Sequence, residues 1–204
     1  FGAKKATAVE IVIPEIKVST ANIRIIGTTP LVTHKFSEKA RRMMLDKQMK
    51  VAKSNTRAAK NPVEDFMGSL HWITEEPTEK TEEAFAEAVR NGARFGFPAV
   101  ALKASVIAAA YRAGLSKNKV SLQGAFHIDE ELVEIKGVTP TMREDMVRLE
   151  TGVADIRHRA EFAPGWYADL TIEYDEGMIS LEQLAAYINR GGFSVGIGEN
   201  RIEK

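Results

Sequence analysis

Two stretches near the C-terminus alternate with a period of two, and they restrict the fold more than anything else in the 204-residue chain. In the first, Ile156, His158, Ala160 and Phe162 share one face, with Arg157, Arg159 and Glu161 on the other. In the second, Trp166 to Tyr174, Leu170 and Ile172 point one way and Asp169, Thr171 and Glu173 the other. Such alternation makes strands with one buried and one wet face, as antiparallel sheets require. A helix follows from Ser180 to Arg190. Its Ser180-Leu-Glu-Gln183 start is a capping box, and Leu181, Leu184 and Ile188 form an apolar stripe. Gly191 reads as the helix C-cap, and Gly192, Gly196 and Gly198 then make a backbone-rich arm ending near Arg201.

Upstream, Val9 to Ile13 and Ile23 to Ile26 read as strands, and Ser37 opens a helix to about Lys53. Its apolar stripe (Phe36, Ala40, Met43, Val51) is interrupted by Lys47, so loose packing is expected. Ser54 to Asn61 reads as a polar loop, Pro62 to Leu70 as a short helix, and His71 to Ile73 as a brief strand. A helix starts at Thr78 or Thr81, with Phe85, Ala88 and Val89 on one face, and Arg94 to Pro98 breaks it. Ala99 to Ala113 is a strongly apolar helix (Leu102, Val106, Ala109 inward) stopped by Gly114. Short strands are expected around Ala125 to Ile128 and Val133 to Ile135, and an irregular stretch or short strand pair from Gly137 to Arg148. The class is α+β on an antiparallel sheet. Strand, helix and glycine arm in that order form half of a ferredoxin-like or RRM-type unit.

Composition excludes several functions. The chain has no cysteine, which removes disulfides, thiol catalysis and cysteine-ligated zinc and suits a reducing cytoplasm. The four histidines (34, 71, 127, 158) show no metal-ligand spacing, so no metal and no cofactor are expected. Gly196-Ile-Gly198 follows a helix instead of a strand, and no GK[ST] is present, so neither a dinucleotide fingerprint nor a P-loop fits. No apolar run approaches the roughly 20 residues of a membrane span.

A formal net charge of zero conceals two opposed blocks. Lys35 to Lys60 holds nine Lys/Arg against two acidic residues, a net of +7. Pro62 to Val89 holds eight Asp/Glu against Lys80, a net of −7. Such blocks can bind a polyanion, dock head to tail on another copy, or be two solvated helix faces. Lys103 sits in the apolar Ala99 to Ala113 segment, near the positive end of that helix. It either snorkels to the surface or meets an anion such as phosphate.

Pro98, Ala99, Leu102 and Lys103 at the start of a helix, followed by a strand, a capped helix and a tail with Gly192, Gly196, Gly198 and Arg201, resemble the RAMP superfamily. These are RRM-derived proteins that include the RNA-coating backbone subunits of CRISPR effector complexes. The layout is also similar to bacteriophage proteins with a GxGxGE-type arm. The matching motifs cover about a third of the chain. The resemblance implies a modified ferredoxin-like core over 1–36 and 94–204 and a helical insertion over 37–93. The insertion's basic part would lie along nucleic acid and its acidic part would face a neighbouring subunit.

The expected function is therefore binding of single-stranded RNA or DNA, without catalysis, by copies that assemble along the strand in a bacterial or phage-infected cytoplasm. Such binding needs cations for phosphates and ring faces for bases. The candidates are Lys35, Arg41, Arg42, Lys47, Arg57, Lys103, Arg157, Arg159 and Arg201, with Gly196 and Gly198 bringing main chain close. Trp72 and Trp166 are either stacking platforms or core. A metal-independent endoribonuclease using His34 or His158 as general acid or base is the runner-up. There Asp155 or Asp169 would lie near a 2′-hydroxyl, as in some RAMP backbone subunits. His158 falls on the apolar face of its strand, so it reads better as a satisfied core histidine. A third alternative is a purely structural protein that self-assembles through its charge blocks.

Overall fold

The computed structural model describes residues 15–36, 38–50, 59–148 and 151–201. The expected strand at Val9 to Ile13, the helix cap at Ser37, most of the polar loop before Pro62, and Arg57 lie outside the described residues. The elements, numbered in chain order, are β1 (Val18–Ile26), β2 (Leu31–Thr33), α1 (Glu38–Gln48), α2 (Pro62–Gly68), β3 (His71–Trp72) and α3 (Glu82–Arg90). Then come β4 (Phe95–Pro98), α4 (Ala99–Arg112), α5 (Lys119–Ala125), β5 (Phe126–Ile128), β6 (Leu132–Ile135), β7 (Thr141–Arg148), β8 (Ala154–Phe162), β9 (Tyr167–Asp175) and α6 (Leu181–Ser194). The class is α+β. The strands form three antiparallel sheets, in the orders β1-β9-β5, β2-β8-β7 and β3-β4-β6, where a ferredoxin-like unit would gather its strands into one.

β9 is the backbone of the first sheet. It pairs with β1 over nine residues, from Val18↔Asp175 to Ile26↔Tyr167, and with β5 on its other edge. Ala168, Leu170, Ile172 and Tyr174 face the core from it, as the alternation predicts. A bridge between Lys136 and Tyr167 ties the end of the third sheet to β9. One core cluster joins these strands to α4, α6 and the Phe66–Trp72 stretch, so the segment expected as an insertion shares the common core from Phe66 onward. No helix among the described residues is long and apolar enough to cross a membrane.

The structure departs from or adds to the local reading at four places. Thr141–Arg148, within the stretch expected to be irregular or a short strand pair, is one strand paired with β8 over its whole length. Phe95–Pro98 is a buried strand and not merely a helix breaker. Lys119–Ala125, which carries no clear periodicity, is a helix capped by Asn118. Finally, α6 runs past the expected stop to Ser194.

Gly191 is therefore inside α6, where it lets α4 come close: a Cβ there would lie 3.3 Å from Val106 Cα. The helix ends instead at Gly196, which takes φ +73° and donates its N–H to the Gly191 carbonyl at 2.9 Å. The chain then turns onto β2, where the Glu199 N–H bonds the Val32 carbonyl at 2.9 Å. β2 is thus sandwiched between β8 and the arm. Gly198, at φ +80°, passes so near β2 that a Cβ would sit 2.6 Å from the Val32 oxygen. Gly198→Ala therefore combines backbone strain with a clash, and we expect a loss of about 1–3 kcal/mol in denaturant unfolding. Gly192→Ala, where a Cβ meets nothing within 4 Å, is the matched control and should change little.

Candidate nucleic-acid interface

α1 stands apart from the rest of the surface. Its described residues from Arg41 onward, and the turn through Lys50, are all exposed, including Met43, Met44 and Met49. Arg41, Arg42 and Lys47 thus reach solvent on a helix whose described side chains take no part in the core cluster. Immediately before it, Lys35 is half-buried with its N–H bonded to the Ser69 carbonyl, and the Phe36 ring is 57 % exposed.

The sheet cations are mostly committed to neighbours. On β7 and β8, Arg143 lies opposite Arg159 and Asp145 opposite Arg157. Asp145 accepts from Arg143 Nε at 2.9 Å and lies 3.6 Å from Arg159, while Arg143 also donates to Glu161. Arg159 is 5 % exposed, which overturns its expected solvent-facing position; one carboxylate between two facing guanidiniums makes its burial tolerable. Arg157 is half-buried beside it. His158 is nearly buried and meets Glu144 at 3.1 Å, so its partner is a carboxylate on the facing strand. Ile156, expected on the apolar face, is exposed.

The open face of the β1-β9-β5 sheet carries a chain of alternating charges. Arg24 grips Asp169 at 2.6 Å and covers the Tyr167 ring at 4.6 Å; Lys136 reaches Asp169 at 3.3 Å and Glu134 at 3.9 Å. The Arg24 hydrogen bond, helped by Lys136, holds the Asp169 carboxyl below its usual range. With Glu173 also outward, this face is balanced and not cationic. Asp155 is likewise held low, chiefly by its hydrogen bond from Lys60.

Lys103 is partly exposed: its ammonium donates to the Gln123 carbonyl at 2.6 Å and lies 5.4 Å from the Phe126 ring centre. Desolvation there lowers its pKa. Lys35, Arg157, Arg159, Gly196, Gly198 and Arg201 gather around β2, β8 and the arm, whereas Lys103 belongs to the α4–α5 junction.

Both tryptophans are core. Trp72 donates its indole N–H to the Met67 carbonyl and Trp166 to that of Thr29, each at 3.0 Å. Gly27 has no Cβ because one would overlap the Trp166 ring. Among the described residues the most open aromatic rings are Phe36 and Phe193, the latter 84 % exposed on α6. Phe36 had a usable signal, an aromatic between Lys35 and a basic helix, but it reads as part of a core stripe. No protein-family model matches this chain, and no curated protein sequence matches it either.

His71 lies behind Lys35 and against the Phe97 ring. Burial, with a smaller push from the Lys35 charge, lowers its pKa to about 4. A folded-state value below the unfolded one means that stability is whole above pH 6.5 and is lost as pH falls toward 4. Urea midpoints should therefore drop across that window, and His71→Gln should flatten the drop. The low-lying Asp155 and Asp169 act only below it. A variant with an unchanged pH profile would refute this assignment.

Proposed function

We propose that this protein binds single-stranded nucleic acid without catalysing a reaction on it, and that copies line up along the strand. The observation that carries the reading is the pairing of an outstanding basic helix with an open ring. Arg41, Arg42 and Lys47 are exposed on α1, one step from Lys35 and the 57 % exposed Phe36. Phosphates are neutralised by such cations, and bases of any sequence stack on such a ring. Of the sheet cations, Arg24, Arg143 and Arg159 face carboxylates. The strand would run from α1 past Lys35 toward the β8 edge, where Arg157 and the arm lie. The likeness of Pro98, Ala99, Leu102 and Lys103 to RAMP proteins supports the same reading and a phage- or CRISPR-associated cytoplasmic setting.

Fluorescence anisotropy with labelled single-stranded DNA and RNA tests it. Three contacts from Lys35, Arg41 and Arg42 should give a slope of log K against log salt of about −2. Arg41→Glu with Arg42→Glu should remove most of that slope and weaken binding more than tenfold at low salt. Phe36→Ala should cost about 1–3 kcal/mol with the slope intact. Salt-independent binding, or variants that bind as the parent does, would refute the proposal.

A further inference from the structure

α1 leaves apolar surface in water, and a matching vacancy exists elsewhere on the molecule. Met43 and Met44 are 67 % and 56 % exposed. A groove of about 250 Å³ opens between α2, α3 and the start of β7. Val63, Phe66 and Phe85 form its floor, with Pro140 and Met142 on one side and Glu82 on its rim. Glu83, Glu87 and Glu79 are exposed nearby, within the acidic block. Thus an apolar hollow edged by carboxylates sits on the same chain as an apolar and basic helix that is exposed among the described residues.

We infer that this groove receives α1 from a second copy of the chain. On the helix, Met43, Lys47 and Met44 fall within about 100° of its circumference. They can seat two thioethers on the Phe66–Phe85 floor while Lys47 meets Glu82. Methionine suits such a site because its unbranched, polarisable side chain adapts to aromatic walls. Arg41 and Arg42 fall on the other side of the helix and stay turned away from the groove. The contact is heterologous, since helix and groove are different surfaces, so each copy offers one of each and chains of copies can grow. Charge complementarity selects a second copy as the occupant: the helix lies in a block of net +7 and the groove in a block of net −7.

This deepens the assembly part of the proposed function but needs no nucleic acid, so the test is run without any. Sedimentation equilibrium on the full chain should show concentration-dependent association that weakens with added salt. Lys47→Glu and Glu82→Lys should each weaken it about tenfold alone, and an equimolar mixture should recover association, through the parent pair in one contact and the swapped pair in the next. Met43→Asp with Met44→Asp alters only exposed helix residues, so the body stays folded by circular dichroism, and association should vanish. A parent protein that stays monomeric at low salt overturns the inference, as do Met43/Met44 variants that associate normally. So does a mixture that fails to recover. Oligonucleotide binding by a monomer would leave the proposed function standing and this contact refuted.

Discussion

The pairing of β9 with β1 across nine residues holds the rest of the molecule in place. β9 buries Ala168, Leu170, Ile172 and Tyr174 on one face while its outer face stays wet. Its free edge takes β5 at one end and the Lys136 bridge at the other, so two sheets are located by one strand. The cost of ordering such a long-range ladder is repaid by apolar burial, because each inward residue meets the same core cluster that α4 and α6 fill.

Charge is organised by a different rule on each surface. On the sheets, cations and carboxylates alternate across strands, so that neighbouring like charges such as Arg143 and Arg159 are separated by a shared acid. The exposed pairs, such as Arg24 with Asp169, add little stability individually. Their effect is to leave the sheets nearly silent to a distant polyanion. In the segments that carry α1 and α3 the opposite signs are kept apart along the sequence, and the described α1 cations and the Glu82, Glu83 and Glu87 carboxylates are exposed. Charge segregated in this way gives a field that steers a charged partner.

Strands with one buried face were readable from sequence where alternation is a direct image of burial, as in β9; in β8 it holds at Ala160 and Phe162 but fails at Ile156, which is exposed, and Arg159, which is buried. β7 was not, because Thr-Met-Arg-Glu-Asp-Met-Val-Arg has both faces largely wet and so presents no apolar period. Arg159 was misplaced for a non-local reason: its burial depends on Asp145 of another strand, and no window along β8 contains that information. Both tryptophans were legible as core or platform, and the decision lay in carbonyls at Met67 and Thr29. The glycine arm was recognised as unusual, yet its glycines answer to close approach and turning within the chain. Of the candidate cations, α1's were the readable ones, since a stripe broken by Lys47 already implied a helix with little to pack against.

The carbonyl oxygen of Gly191 accepts from three donors: Ser105 Oγ of α4 at 3.3 Å and the N–H groups of Val195 and Gly196 at 3.2 and 2.9 Å. A single atom thus joins the helix crossing to the start of the C-terminal tail. Any slide of α4 along α6 would be transmitted to the tail through it, and from the tail to the strand that Glu199 clasps. The tail is geared to the helices, and its height above the neighbouring strand is set some distance away, at a residue that has no side chain.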